Sequence, residues 1–264
     1  MTTVMSRTLV ATARYEALMA ARGRMLWWAL TPLTLLAVLL ALTSEQVVGN
    51  ADPVRRVAET AIVFSLLCTV GVAVGLTDRL RIHRRSGLTD LLDATAARGS
   101  VRLVGSFLGS LAVALAVPLI GFCTLVVTIA IETGSASALV AGLVAAAVII
   151  LPASVVLASF ATLLGVLMPA AFARAITVVA WIWATVLNPT ILPVPTVTGT
   201  VLSPLGRYPA AAWLHAPQTG ATYGLDGVLR PVVSGGTATL QVLVVLAVAA
   251  LLLSITNIRL AARH

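Results

Sequence analysis

No lysine occurs anywhere in the 264 residues, and all 17 basic residues are arginine. A standard nucleotide-binding P-loop places a lysine on the β- and γ-phosphates. This chain therefore carries no such loop, and any ATP-driven work requires a second polypeptide. Charge of either sign is scarce. Charged residues make up 10% of the chain and hydrophobic residues 59%, whereas a soluble domain is roughly a quarter charged. So few polar groups could not cover the apolar surface in water, and a bilayer is the natural solvent. Cysteine is nearly absent: Cys68 and Cys123 each fall in an apolar run. They form neither a disulfide framework nor a metal site, and read as small packing residues. Histidine is equally sparse. His83, His215 and His264 lie outside the apolar runs, and no HExxH pattern occurs. The hydroxyls of Ser106, Ser110, Ser154 and Ser159 thus have no histidine to activate them, and read as partners of backbone or of neighbouring helices. An intramembrane enzyme is not expected. The net charge of +8 would suggest nucleic acid in a soluble domain. Here the arginines flank apolar segments, so no nucleic-acid partner is expected.

What is present is long apolar runs. A spanning helix takes about 20 mostly apolar residues, and six segments qualify: 25–43, 58–76, 103–131, 138–167, 175–192 and 237–255. The expected fold is all-α, a polytopic membrane protein with one transmembrane domain over 1–264. The first run is longer than the apolar core of a signal peptide and is expected to be retained. Pro118 lies inside the third segment and Pro152 inside the fourth, and both segments are long enough to tilt, bend or protrude. With both termini on the cytoplasmic side, the inner segments hold thirteen arginines (7, 14, 22, 24, 79, 81, 84, 85, 98, 102, 174, 259 and 263). The outer segments hold four, Arg55, Arg56, Arg207 and Arg230. This bias sets the expected orientation in the cell membrane, with Trp27 and Trp28 as inner-interface anchors.

Three stretches outside the runs carry further information. Residues 1–24 read as an amphipathic helix, with Val4, Met5, Leu9, Leu18 and Met19 on a rough apolar stripe and Arg7, Arg14 and Arg22 off it. Too polar to span, it is expected to lie along the inner membrane face. Residues 193–236 are expected to contain two short helices on or dipping into the outer leaflet, because more than 40 structureless residues would be unusual. The inner loop 78–102 reads as a short capped helix over residues 90–98. Thr89 is the N-cap, Asp90 and Asp93 place negative charge near the start, Arg98 falls in the last turn, and Gly99 follows as C′. Leu91 and Leu92 would anchor such a helix, either on its own bundle or in the groove of a partner.

The stretches SRTLVATARYEALMAARGRMLWWAL and GLTDRLRIHRRSGLTDLLDATAARGSVRLVGSFLGS, with the long outer segment before the last run, carry a family likeness. In layout the chain resembles the permease subunits of type-2 ABC exporters. The resemblance implies an amphipathic helix before span one, six spans, a coupling helix between spans two and three, and re-entrant helices between spans five and six. It also implies two cytoplasmic ABC ATPase subunits as partners and a second permease copy or paralogue. ATP and Mg would be held by the ATPases, with no cofactor in this chain. Asp90, Leu91, Leu92, Asp93 and Arg98 would contact the ATPase subunit, and the N-terminal helix would press on it as well. Where many such permeases carry a proline soon after the leucine pair, this chain has Asp93-Ala94-Thr95-Ala96.

The expected activity is transport without chemistry in this chain. The few polar groups of spans two and five, Thr69, Thr77, Thr177, Thr185 and Asn188, are the candidates for a translocation path, and an apolar interior suits an amphipathic or hydrophobic cargo such as a drug, lipid or peptide. A secondary transporter would need ionisable groups near the midplane. Glu59 and Glu132, the acids nearest the spans, sit towards their outer ends. A non-transporting scaffold or immunity-type membrane protein is the other alternative, and the capped inner helix is the feature it would not require. Gly105 and Gly109 make a GxxxG spacing whose commoner meaning in so small-residue-rich a chain is intramolecular packing. Trp181 and Trp183 must occupy different helix faces, so at most one of them faces a path.

Overall fold

A computed structural model describes residues 2–79, 99–187, 196–217 and 229–262. Among the described residues there are helices and connecting segments and no strand. In chain order the helices are α1 (Thr2–Ala21), α2 (Arg24–Thr43), α3 (Glu45–Val48), α4 (Pro53–Leu76), α5 (Gly99–Thr133), α6 (Ser137–Ala145), a π-helical turn (Ala146–Ile150), α7 (Leu151–Leu167), α8 (Ala170–Thr185), α9 (Arg207–Leu214) and α10 (Gly235–Ala261). Five of these helical stretches are long and apolar enough to cross a membrane: Leu26–Thr43, Pro53–Leu76, Gly99–Thr133, Ser137–Leu167 and Gly235–Ala261. The protein is an all-helical, multi-pass membrane protein. Its outer surface agrees, since Trp28 is 79% exposed, Ile131 76% and Leu143 76%. Apolar exposure of that kind is sustained by lipid and not by water.

The fifth expected span differs from expectation. Instead of 175–192, the helix is Ala170–Thr185, 16 residues in length, or roughly 24 Å at about 1.5 Å per residue. That is short of the hydrocarbon thickness of about 30 Å. Met168 is extended and Pro169 precedes the first helical residue, so the helix starts five residues early. Val186 closes it, two residues before the Asn188-Pro189 pair. Apolar composition continued past the point where the backbone left the helix. The fourth expected span is not one α-helix either. The π turn interrupts it just before Pro152, which sits in the first turn of α7, where a missing N–H is tolerated. Helix α5, by contrast, runs through Pro118 without a break.

The second span starts earlier than expected because it is capped. The Asp52 carboxylate accepts a hydrogen bond from the Val54 N–H at 2.9 Å, and Pro53 opens the helix. Arg55 and Arg56 therefore stand on the first turn of α4 and not in a loop. Helix α10 is fastened by a reciprocal cap: Ser234 Oγ accepts from the Thr237 N–H, and the Ser234 N–H donates to Thr237 Oγ1. The core lies along α4. On one side Phe64 meets Phe122 of α5 edge-to-face, with ring centroids 5.7 Å apart. On the other side Trp181 of α8 is buried, and its Nε1–H donates to the Leu66 carbonyl at 2.9 Å. Trp183 is exposed, whereas Trp181 is buried, so the two tryptophans do occupy different faces.

The polar groups segregate to the two ends of the bundle. One end holds Arg56 and Glu132, paired at 3.0 Å, with Asp52 and His215 at 3.6 Å. The other end holds Glu16 and Arg79 together with an ion pair between Asp78 and Arg174. Along α4, Arg56 and Arg79 are 23 residues apart, or roughly 34 Å of helix. That separation matches one hydrocarbon layer of about 30 Å with its margins.

Candidate functional site

The best-built polar site lies where α1, the end of α4, the start of α5 and α8 converge. It begins with two glycines. A Cβ at Gly109 would lie 2.1 Å from the Ala13 carbonyl oxygen, and one at Gly105 would lie 3.0 Å from the Leu9 carbonyl oxygen and the Thr12 Cβ. Only a backbone without side chains at these positions lets α1 lie flush along α5. The Gly105–Gly109 spacing is thus an intramolecular seat for the N-terminal helix.

The seat selects an unexpected face of α1. Ala20 and Glu16 are buried, Leu9, Thr12 and Ala13 are half-buried, and Leu18 is 55% exposed. Of the apolar stripe read from sequence and expected to face the membrane, Leu18 is exposed on the bundle surface and Leu9 and Met19 are half-buried; the side chains of Val4 and Met5 lie outside what the structure describes. Close backbone approach rewards small residues, so the helix buries its alanine and threonine face in preference to its largest apolar groups. Arg7, Arg14 and Arg22 are all exposed, as expected. The Trp27 Nε1–H donates to the Ala21 carbonyl at 2.7 Å, which fixes the angle between α1 and α2.

Packing on α5 carries Glu16 into the interior. Its carboxylate is attracted by the Arg79 guanidinium and hydrogen-bonded by Ser106. Burial dominates these pulls and raises its pKa from 4.5 to about 7. Burial likewise pushes the Arg79 pKa down, with Glu16 opposing. Asp78, the neighbour of Arg79, is bonded by Arg174 of α8. Two acid–arginine pairs therefore tie α1, the end of α4 and α8 at one place, and the Ser106 hydrogen bond adds α5. Residues 80–98 leave the described structure immediately after Arg79 and rejoin it at Gly99, the first residue of α5. The segment expected to contact an ATPase, with Asp90, Leu91, Leu92, Asp93 and Arg98, lies outside the described residues.

The candidate path residues are buried and already engaged. Thr69 Oγ1 is 3.4 Å from Ser154 Oγ. Thr77 donates to the Ala73 carbonyl at 2.9 Å, Thr177 to the Ala173 carbonyl at 2.7 Å, and Thr185 to the Trp181 carbonyl at 2.6 Å. Such bonds to the preceding turn are the usual way a hydroxyl is satisfied in an apolar helix. Asn188 lies outside the described residues. Of the two acids nearest the spans, Glu132 is paired with Arg56, and Glu59 lies in the field of Arg207 and Arg55. Among the described residues no group of three or more His, Cys, Asp or Glu side chains is placed to hold a metal ion.

Among the described residues, the segment 193–236 carries one short helix, α9, where two were expected; residues 188–195 and 218–228 lie outside the described residues. Gly206, at φ 70°, allows the turn into α9 at a point where a Cβ would meet Ile149 of the π turn at 3.1 Å. Gln241 of α10 then clamps the segment. Its Nε2 donates to the Ser203 carbonyl at 2.7 Å, and its Oε1 accepts from the Tyr208 N–H at 3.1 Å.

Sequence reasoning missed both Glu16 and Gln241. The available signals were the only acid in α1 and a lone amide near the start of the last apolar run. No family model matches the chain, and no curated protein matches it.

Proposed function

We propose that this chain is the membrane-spanning permease subunit of an ATP-driven exporter of the type-2 ABC class. It would move an amphipathic or hydrophobic cargo with energy supplied by two separate ATPase subunits. In this reading α8 is the fifth of six spans, shorter than the rest, α1 and both termini are cytoplasmic, and a second copy or paralogue completes the pathway. The observation that carries the reading is the shared junction. The N-terminal helix is seated on the first turns of α5, where the segment 80–98 rejoins the bundle, and Glu16 meets Arg79, where that segment departs. A push on either the segment or α1 would be felt by four helices at once, which is what a bundle driven from outside requires. The complete absence of lysine adds support, since the motor must then be another chain.

The mechanism is mechanical. ATPase closure would displace the segment 90–98, expected from sequence to be a short helix, through Leu91 and Leu92, with Asp90, Asp93 and Arg98 fixing its register. The junction would then change the tilt of α4 and α5. Thr69, Thr77, Thr177 and Thr185 are occupied in the present arrangement, so a path along them would have to open by separating α4 from α7 and α8.

One observation favours a second reading, a non-transporting scaffold: the hydroxyls of Thr69, Thr77, Thr177 and Thr185 are satisfied internally. One experiment decides between the two. The chain is co-purified with the ATPase encoded beside its gene, and ATP hydrolysis is measured in lipid, for wild type and for Leu91→Asp with Leu92→Asp. A complex that wild type forms and the double variant loses, at equal membrane insertion, supports the permease. No association in a well-folded preparation favours the scaffold.

A further inference from the structure

Glu16 is the only acid on α1 and is 3% exposed. The elements packed around it present few charges. Arg79 approaches from the end of α4 and Ser106 from α5. Arg102 stands one turn before Ser106 on α5. Asp78 is held by Arg174 of α8. Helix α2 presents Leu26 and Leu30, with Arg24 exposed at its start, and α7 presents Ala158 and Thr162. Beside this cluster lies a cavity of about 10 Å³ lined in part by Arg79, Ser106, Ser110 and Thr162, room for about one water molecule. Ser110 lines it with a buried hydroxyl that has no hydrogen-bond partner among the described residues. The cavity thus shares Arg79 and Ser106, the two groups that face the Glu16 carboxyl, with the cluster.

We propose that Glu16 is a protonation-controlled latch: when neutral it seats the N-terminal helix on α5, and when ionised it loosens that seat. The direction follows from linkage. Docking buries the carboxyl and raises its pKa from 4.5 to about 7, burial outweighing the pull of Arg79 and the Ser106 hydrogen bond. The docked state therefore binds the proton more tightly than the undocked state. Its advantage is complete below pH 4.5 and is lost as the pH rises through about 7. This inference concerns the docking of α1 alone and stands whatever the chain transports.

The test is hydrogen exchange of the backbone amides of residues 2–21 in the full chain. It is measured in lipid nanodiscs from pH 5 to pH 9 and corrected for the intrinsic rate. Wild type should be protected about tenfold more at pH 6 than at pH 8, the change expected for one carboxyl titrating near 7. Glu16→Gln, which mimics the neutral acid, should show equal protection at both. Arg79→Gln, which removes the charge that opposes burial, should move the midpoint to higher pH. Equal protection of wild type at pH 6 and pH 8 would overturn the proposal. So would a pH dependence that survives in Glu16→Gln, or a midpoint that Arg79→Gln leaves in place. The wild-type and Arg79→Gln curves decide the matter even if Glu16→Gln does not fold.

Discussion

Replacing Gly109 by alanine tests the seat of the N-terminal helix most directly. The new Cβ would stand 2.1 Å from the Ala13 carbonyl oxygen and 2.9 Å from the Ala13 Cα. Ordinary carbon–oxygen contact needs more than 3 Å or so, and thus α1 must retreat by about 1 Å. A radial gap of that size forfeits a quarter to a half of each affected van der Waals well, and overpacking of this kind costs about 1–3 kcal/mol. Alanine also favours a helix over glycine by about 1 kcal/mol. That gain belongs to α5 whether or not α1 is docked, so it cancels from the docking equilibrium. Exchange of the α1 amides should therefore rise roughly fivefold to a hundredfold, while α4 and α10 keep wild-type protection. Gly99→Ala is the internal control, because a Cβ there meets nothing within 4 Å. Wild-type protection of α1 in Gly109→Ala would refute the claim that a backbone approach at this position holds the helix.

The remaining expectations concern the opposite end. Gln241→Leu removes the donor to Ser203 and strands the buried Tyr208 N–H, a loss of about 1–3 kcal/mol. A lower melting temperature in detergent, with faster exchange confined to residues 196–217 and the start of α10, would bear this out; an unchanged segment would sink it. The Arg56–Glu132 pair has one partner 51% exposed. A double-mutant cycle with Arg56→Gln and Glu132→Gln should therefore return no more than about 1 kcal/mol, shrinking in high salt. A salt-insensitive coupling well above that would mean the pair is dry.

Partition into a membrane is close to a sum over side chains, and so it was legible along the chain. The apolar runs became helices at five of six places with small shifts in their ends, and the arginine-flanked junctions became the polar ends of the bundle. Composition misjudged α8, where an apolar run outlasted its helix, and gave no sign of the π turn before Pro152. Packing is a property of pairs, and the sequence does not say who stands opposite. The apolar stripe of α1 read as facing the membrane, and only the fold showed that Gly105 and Gly109 select small residues of α1 for its packed face. That choice turned Glu16 inward, gave it Arg79 for a neighbour, and raised its pKa. In the same way Gln241 read as one polar residue in an oily helix until Ser203 and Tyr208 were brought to it from more than 30 residues away. That the chain lives in a membrane was decided by its side chains one at a time. Where its few polar groups meet was decided only when the helices closed on one another, because burial and partnership exist only between segments.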